Sequence, residues 1–340
     1  MKANVKDLTE ILQVESECGN ERSFAEFIAG KLRSYTDYVR IDRLHNVIAT
    51  IGDSSAKKIM LTAHQDELSM IVSSVNDNGF LTVQRVGGID RRTLLSQEIT
   101  VNGLNGIICS TPPHLAKPGE GSKVPEYKDL YIDLGLPAEE VKKKVRLGDR
   151  VYLNTSVTPL LNNRIASKAL DNKICVYAIL VCLEKLAKLI KHNELDCCIQ
   201  VLFASQEEVG SRGAAVGTFT ADPDEAIVLD VTFAKQPDVP EAAELGEGAV
   251  VEYSAIFDRT LCKNLEKAAK ENKVKYQVNA EAIALGTDAD TVSILRCGIK
   301  TALLSVPVRY MHTAVETGDL GDVESAADIL CGYIRTYEKK

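Results

Sequence analysis

Paired acids follow a largely apolar segment in the middle of this 340-residue sequence. The segment 199–204 leads directly into Glu207 and Glu208. Apolar runs of this length are typical of buried strands in a parallel sheet that helices cover on both faces. Ligand sites in such sheets lie beyond the carboxyl ends of the strands. Two adjacent acids are costly to bury there unless they are paired, protonated or bound to a cation.

Five further residues that are suited to bind a metal ion lie at the end of another predicted strand, follow one, or begin a predicted helix. They are His64, Asp66, Asp171, Asp230 and His312. Histidines together with carboxylates are ligands that zinc, cobalt and manganese share. Because the acids exceed the needs of one tetrahedral shell, the set indicates two ions with one bridging carboxylate. Asp171, at the start of a helix, is the natural bridge, and Asp66 is placed to accept a hydrogen bond that fixes the tautomer of His64.

Each of these residues, taken alone, has a simpler interpretation. Glu207 and Glu208 suit a solvated loop after a strand, and Asp171 in the first turn of a helix is favourable with the helix dipole. Asp66 suits a turn, and a histidine at a strand end or in a loop is more often structural than a ligand. The metal-site hypothesis depends on five separate segments that deliver ligands to one edge of a sheet, which solvation alone does not explain.

Six short motifs resemble those of the tetrahedral dinuclear metalloaminopeptidases, the family of glutamyl and deblocking aminopeptidases once widely labelled cellulases. They are Ala63-His64-Gln65-Asp66-Glu67, Ala169-Leu170-Asp171-Asn172, Gln206-Glu207-Glu208-Val209-Gly210, Leu229-Asp230-Val231, Gly286-Thr287-Asp288-Ala289 and Arg309-Tyr310-Met311-His312. The motifs follow the order of the family and cover nearly the whole chain. The sequence departs from the family pattern at Gln65, Ser69, Asn172 and Cys175, none of which is an expected ligand.

The resemblance implies a role for every candidate residue. The implied ligands are His64, Asp171 and Asp230 for one metal ion and Asp171, Glu208 and His312 for the other. Asp171 would bridge the two ions, which would be zinc, cobalt or manganese. Glu207 would act as the general base, and Asp66 would orient the first histidine. Family members often assemble as hollow particles of twelve subunits, which implies self-association from dimers.

The order of predicted elements indicates an α/β protein with an insertion. The predicted helices outside the insertion are 5–12, 24–32 with Asn20 as a cap, 171–191, 259–272, 291–297 and 322–337, and the predicted strands are 47–51, 58–63, 199–204, 226–231, 248–254, 274–278 and 300–306. This alternation predicts a mixed, mostly parallel sheet with helices on both faces. Residues 67–160 read instead as short strands with turn signals, which predicts a small all-β domain. We therefore expect a catalytic domain formed by 1–66 and 161–340, with 67–160 as an inserted dimerisation domain.

Composition excludes several classes of protein. An excess of acidic over basic residues gives a net charge of −8, which disfavours a nucleic-acid surface. No stretch of about 18 apolar residues is present, and the first residues lack the apolar core of a signal peptide, so we expect no membrane segment and a cytoplasmic location. The odd number of cysteines, without a C-x-x-C pair, predicts reduced core residues, including Cys175, Cys182, Cys297 and Cys331.

The residues and the resemblance together predict a dinuclear metal-dependent aminopeptidase that removes N-terminal residues from short peptides by means of metal-activated water. An endoglucanase-type glycoside hydrolase is the first alternative, since it too needs two carboxyls. That alternative is disfavoured because the chain has no tryptophan and only 5% aromatic residues to form sugar platforms. A non-catalytic scaffold particle that binds metal is the second alternative, and the presence of Glu207 beside a full ligand set argues against it.

Overall fold

The computed structural model describes residues 2–117, 119, 123–282 and 285–339, which form two compact units. The larger unit comprises Met1–Glu67, Val157–Met311 and Glu316–Lys340. The smaller unit comprises Leu68–Ser156 and His312–Val315. No helix in the described part of the chain combines the length and the apolar character that are needed to cross a membrane.

The larger unit contains seven of the eight helices found in the described residues. These helices are α1 Val5–Leu12, α2 Arg22–Leu32, α4 Leu170–Lys191, α5 Arg212–Ala221, α6 Arg259–Glu271, α7 Asp288–Ser293 and α8 Leu320–Arg335, with α3 Ala138–Lys144 in the smaller unit. Helix α1 begins at Asn4, whose side chain accepts a hydrogen bond from the Asp7 backbone N–H. Helix α2 follows Glu21, so the predicted cap at Asn20 is wrong, and the Asn20 side chain donates to Glu17 instead.

An eleven-stranded sheet forms the centre of the larger unit, counted over the described residues. Its strands are β1 Val39–Ile41, β2 Val47–Ile51, β3 Lys57–His64, β10 Thr158–Pro159, β11 Arg164–Ser167, β12 Cys197–Ala204, β13 Glu225–Phe233, β14 Ala249–Ser254, β15 Tyr276–Glu281, β16 Lys300–Arg309 and β17 Glu316–Asp319. The four central strands, in the order β12, β3, β13 and β16, are parallel, and antiparallel strands flank them. The predicted α/β class with a mixed sheet is confirmed.

Helices cover both faces of the central strands. All eight residues of β12 are buried, and successive side chains of a strand point to opposite faces, so neither face meets solvent. Helix α4 packs against β3 and β13, and α5 packs against β12. Helix α5 was not predicted, because its small residues lack an apolar period. A side chain at Gly213 would place its Cβ 2.2 Å from the Ser205 carbonyl oxygen, so only glycine allows α5 to approach the end of β12.

The smaller unit is a closed barrel of short antiparallel strands. Its strands are β4 Ser69–Val75, β5 Leu81–Val86, β6 Glu98–Val101, β7 Leu104–Cys109, β8 Tyr131–Asp133 and β9 Arg150–Leu153. Strand β8 was not predicted from the sequence. The barrel has its own core, in which Met70, Ile99 and Val151 are fully buried.

The boundaries between the two units fall at slightly different residues from those expected. Glu67 lies in the larger unit, where its carboxylate accepts hydrogen bonds from the Ser16 backbone N–H and the Lys168 ammonium. Thr158–Pro159 also lies there, since it pairs with β11. His312–Val315 belongs to the smaller unit instead, and its His312 carbonyl accepts from the Asp90 backbone N–H.

Three further expectations are corrected by local contacts. The predicted helix 291–297 is α7, which begins earlier because the Thr287 side chain accepts from the Ala289 backbone N–H. Strand β16 continues through Pro307 to Arg309 instead of ending at residue 306. The side of β16 that faces away from β13 pairs with β14 as far as Ser305 and with β17 from Val308 onward. Pro307 lies between these two pairings, so it needs no backbone N–H on that side. Cys297, expected in the core, is exposed.

Candidate metal centre

Parallel register brings three of the candidate segments to one level of the sheet, at the ends of β3 and β12 and three residues before the end of β13. His64, the last residue of β3, is in register with Ala204, the last residue of β12. Val228 is in register with Thr62, so Asp230, two residues further along β13, lies level with His64. This placement follows from parallel pairing, because residues in register on parallel strands lie at the same level of the sheet.

His64 lies at the centre of a cluster with Asp171, Asp230, Glu207 and Glu208, which we call the metal cluster. The His64 side chain is buried, with 2% exposure. Its Nε2 atom lies 3.0 Å from Asp171 Oδ1, 3.8 Å from Asp230 Oδ1 and 4.0 Å from Glu207 Oε2. Its Nδ1 atom lies on the other side of the ring, 3.2 Å from the Asp66 carbonyl oxygen. A neutral His64 that donates from Nδ1 to this carbonyl presents Nε2 as a ligand atom toward the three acids.

Asp171 reaches the cluster from the segment that precedes the regular part of α4. Its backbone angles, φ −75° and ψ 104°, are not helical, and those of Asn172 are not helical either. Asp171 thus lies in the first turn of α4, as expected, but with a non-helical backbone, so the helix-dipole interpretation loses its basis. The backbone N–H of Asp171 donates to the buried Glu316 carboxylate, and the Asn172 amide donates to the Leu229 carbonyl beside Asp230. These two bonds fix Asp171 against its neighbouring strands.

Glu207 and Glu208 lie on a single 3₁₀ turn, Glu207–Val209, which two residues separate from the end of β12. Gln206 before the turn has φ 56°, in the left-handed region that few non-glycine residues adopt. One potential ligand atom each from His64, Glu207 and Glu208 lie within 4.8 Å of one another.

Asp66 is fully buried, and it contacts both His64 and the turn that carries Glu207 and Glu208. Its Oδ1 atom lies 3.5 Å from Nδ1 of His64. Its carboxylate also accepts hydrogen bonds from the backbone N–H groups of Glu207, at 2.9 Å, and Glu208, at 3.2 Å. The second contact was not expected from the sequence, because the turn that makes it possible is not visible in the pattern.

Three acids near His64, namely Glu207, Glu208 and Asp230, have raised pKa values. Burial and the charges of neighbouring acids raise the pKa of Glu207 to about 9 and that of Asp230 to about 8. The pKa of Glu208 is raised for the same reasons. Burial alone would lower the pKa of His64, but its hydrogen bonds with Asp171 and Asp66 raise it. The ionised forms of these acids are therefore disfavoured without a counter-charge, and a bound cation would stabilise them.

The donor set fits a divalent metal ion. One potential ligand atom each from His64, Asp171 and Asp230, all buried, lie within 4.8 Å of one another. An imidazole nitrogen with carboxylate oxygens is a ligand set that zinc, cobalt and manganese accept. His312 lies in the smaller unit, where its Nδ1 atom is 3.2 Å from the Gly88 carbonyl oxygen.

Residues 45–329 match the sequence model of a peptidase family, described as M42 glutamyl aminopeptidase. The chain belongs to this family. The resemblance drawn from the six motifs is thereby confirmed, and M42 members are metal-dependent exopeptidases. This chain is accordingly a metalloaminopeptidase, a hydrolase that acts on peptide bonds.

Relatives of this M42 chain extend over almost its full length. The lysyl aminopeptidase of Pyrococcus furiosus is 34% identical over 313 residues, which cover 88% of this chain and 87% of the relative. The structure of an aminopeptidase from Desulfurococcus kamchatkensis has a TM-score of 0.89 and 31% identity, with 98% of this chain and 95% of that one covered. The TET1 peptidase of Pyrococcus horikoshii, which assembles into a tetrahedron or a large octahedral shell, has a TM-score of 0.85 and 28% identity, with coverage of 97% and 98%.

Two acids of the M42 centre were not singled out from the sequence. Asp288 is buried, and burial raises its pKa to about 7. It belongs to one of the six family motifs, Gly286-Thr287-Asp288-Ala289, so the sequence pointed to this residue without indicating its role. Glu316, which accepts from the Asp171 backbone N–H, gave no signal, since nothing in the local pattern distinguishes it from a surface acid.

Proposed function

We propose that this chain is a dinuclear aminopeptidase that removes N-terminal residues from short peptides, with Glu207 as the general base. The observation that carries the proposal is the buried cluster of His64, Asp171 and Asp230, whose ligand atoms lie within 4.8 Å of one another. Such a concentration of buried acids is unfavourable without cations, and it lies at the edge of the sheet where α/β enzymes bind ligands.

The ligand assignment divides the candidate residues between two ions of zinc, cobalt or manganese. His64, Asp171 and Asp230 would hold the first ion, and Asp171, Glu208 and His312 would hold the second. His312 would bind through Nε2, because its Nδ1 atom lies against the Gly88 carbonyl. The ions, when bound, polarise the scissile carbonyl and lower the pKa of a shared water.

Glu207 performs the proton transfers of the proposed reaction. Its carboxylate takes a proton from water as the water oxygen bonds to the scissile carbonyl carbon. When the carbon–nitrogen bond breaks, Glu207 gives this proton to the departing amine. Asp66 orients His64 and supports the turn that carries Glu207, as its hydrogen bonds to both segments suggest.

Self-association is the second part of the proposal. The TET1 peptidase of Pyrococcus horikoshii assembles into closed shells, and this chain is similar to it over nearly the whole length of both. The smaller unit exposes large apolar side chains at Ile107, Leu115 and Leu147, which a neighbouring subunit would cover. Dimers that build a hollow dodecamer in the cytoplasm would admit short peptides and exclude folded proteins.

Metal removal with measured turnover tests the chemistry. We expect hydrolysis of aminoacyl-nitroanilides to disappear after chelation and to return on addition of zinc, cobalt or manganese. Elemental analysis of the active sample gives the number of ions per subunit, for which we expect two. Full activity in a sample shown to be metal-free would contradict the proposal, and hydrolysis of a soluble cellulose in place of nitroanilides would favour the glycoside hydrolase.

Light scattering at working concentration tests the assembly. We expect the mass of twelve subunits, together with rapid cleavage of a tripeptide and no cleavage of a folded protein. A monomer that digests folded proteins would contradict the compartment and leave the metal chemistry standing.

A further inference from the structure

Two cysteines that the proposed reaction does not use face each other between helices α4 and α8 of the larger unit. The Sγ atom of Cys331 lies 3.4 Å from the Sγ atom of Cys182 and 3.4 Å from the Cys182 carbonyl oxygen. Both cysteines are free thiols, and the two helices pack against each other. Cysteine is common in cores as a small apolar residue, but two thiols in direct contact are also placed to react with each other.

A pocket beside α4 and α8 gives one of the two thiols a route to solvent. The pocket has a volume of about 560 Å³, and Cys331 forms part of its wall. Cys331 is 6% exposed, whereas Cys182 is completely buried. Charged side chains, including Lys185, Asp328 and Arg335, line the same pocket. The pocket therefore suits a small polar reagent better than an apolar ligand.

We propose that Cys182 and Cys331 form an oxidation site, at which hydrogen peroxide that enters the pocket converts the two thiols into a disulfide that joins α4 to α8. This inference does not rest on the proposed peptidase reaction. Asp171 is eleven residues away from Cys182 in the sequence, so about three helical turns separate the oxidation site from the metal cluster.

Exposure sets the order in which the two thiols react. The Cys331 sulfur loses its proton and attacks one peroxide oxygen, the O–O bond breaks, and the displaced hydroxide takes up that proton as water. The Cys182 sulfur then attacks the resulting sulfenic acid, the S–O bond breaks, and the hydroxyl group leaves with the Cys182 proton as a second water. Two thiols are thereby oxidised to one disulfide, and one peroxide is reduced to two waters. Burial raises the pKa of Cys182, which agrees with its place as the second thiol to react.

The disulfide requires a small movement and constrains a long segment. A disulfide has an S–S distance of about 2.05 Å, so the two sulfur atoms, now 3.4 Å apart, have to approach by about 1.4 Å. The two cysteines are 149 positions apart in the sequence. A cross-link between such distant positions restricts the unfolded chain strongly, so we expect the oxidised protein to be more stable than the reduced protein.

Peptide mapping after treatment with hydrogen peroxide tests the oxidation site. Cys297→Ala is the background for all samples, because Cys297 is exposed and would react with peroxide or link two chains. Zinc is the only added metal, since it is not redox-active. Remaining thiols are alkylated in denaturant, and tryptic digestion follows without reduction.

We expect peptide 174–185, which contains Cys182, to be joined to peptide 310–335, which contains Cys331. The intact chain should be lighter by two hydrogen atoms, and dithiothreitol should reverse both changes. Peptides that stay separate in the treated protein would overturn the inference.

Cys175→Ala is the matched control for Cys182→Ala. Cys175 is also fully buried on α4 and lies in the same tryptic peptide. It is seven residues from Cys182, about 10 Å along the helix, so Cys331 cannot reach both. The joined peptide should form in Cys175→Ala and be absent in Cys182→Ala, with cooperative thermal unfolding as the check that both variants are folded. A joined peptide in Cys182→Ala would place the cross-link at Cys175 and overturn the assignment.

Melting temperatures of the oxidised and the reduced protein test the consequence of the cross-link. We expect oxidation to raise the melting temperature by about 3 °C or more, and dithiothreitol to abolish the rise. Cys331→Ala should show neither the rise nor the joined peptide. Because Cys331 lies at the wall of the pocket, this variant loses less packing than Cys182→Ala and keeps the test decisive if Cys182→Ala does not fold. A cross-linked protein that melts no higher than the reduced protein would overturn the stabilising effect.

Discussion

Two clusters of buried charge begin only three residues apart along β3 and its extension, and they are neutralised in opposite ways. Around His64, the acids Glu207 and Asp230 have raised pKa values, because burial and like charges disfavour their ionised forms. Around Glu67, burial acts in the same direction, but Lys168 and Lys173 outweigh it and lower the pKa. The Lys168 ammonium lies 3.1 Å from both Glu67 carboxylate oxygens.

The difference separates structural charge from functional charge. Glu67 is neutralised by two lysines of the chain itself, Lys168 and Lys173. These three residues form the lysine-paired cluster, which joins three segments. Lys173, for example, also donates to the Val14 carbonyl. The metal cluster needs a positive charge that the chain does not supply. Such an arrangement is typical of a cation site.

The largest expected effect comes from removing a proposed ligand. Glu208→Ala should lose metal and nearly all activity, because the second ion loses one of its ligands. Glu207→Gln should keep the full metal content and the substrate affinity while turnover falls by at least about a hundredfold, on the scale of a lost general base. Metal analysis and kcat of both variants give the comparison. Equal metal loss in the two would contradict the division of roles.

A large loss of stability should follow when the lysine-paired cluster is broken. Glu67→Gln leaves Lys173 buried without its anion, and we expect the free energy of unfolding to fall by about 3 kcal/mol. Glu247→Gln is the control, since Lys275 contacts both Glu247 oxygens at the same 3.1 Å but both side chains are exposed. The control should cost less than about 1 kcal/mol. Denaturant unfolding of both variants measures the difference, and similar losses would show that burial does not matter.

The metal cluster should respond with the opposite sign when metal is absent. In chelated protein at pH 7, Glu207→Gln removes a buried acid that otherwise has to be protonated, so we expect the free energy of unfolding to rise by about 1 kcal/mol or more. The same denaturant experiment with and without zinc tests this. A loss of stability in the metal-free variant would mean that Glu207 is neutralised within the chain, and the contrast with Glu67 would disappear.

A pH dependence of stability should belong to one cluster only. Unfolded glutamate has a pKa of about 4.3, whereas folded Glu207 has one of about 9, so between these values the folded protein holds a proton that the unfolded chain has released. Stability of the metal-free protein should therefore fall as the pH rises from about 5 to about 9. His64, with its raised pKa, acts in the same direction.

Glu67 should not contribute to this slope. Its pKa is lowered, so the stability it provides is present above the pKa of the unfolded chain and is lost only as the pH falls through the folded value. Melting temperatures of chelated and zinc-loaded protein at fixed protein concentration across this range separate the two clusters. A slope that zinc does not reduce would place its origin outside the metal cluster.

Most of the regular elements were predictable, because they follow from local patterns. The buried strands β3 and β12 are apolar runs of the right length, and α1 and α8 show apolar residues at helical spacing. Elements without such a pattern were missed, such as α5 with its small residues and the short strands β8 and β17. Thr287 shifted a helix start through a single capping bond, which a search for apolar periodicity does not detect.

The sequence by itself determined the α/β class and the candidate residues of the metal centre, because residue type and position after a strand are local properties of the chain. Tertiary structure decided how those residues are arranged. Parallel register put Asp230 level with His64, and a left-handed Gln206 placed both glutamates on one turn that Asp66 holds. The same holds for Glu316, whose partner Asp171 is distant in sequence. Contacts of that kind depend on the packing of many segments at once, so no local pattern contains them.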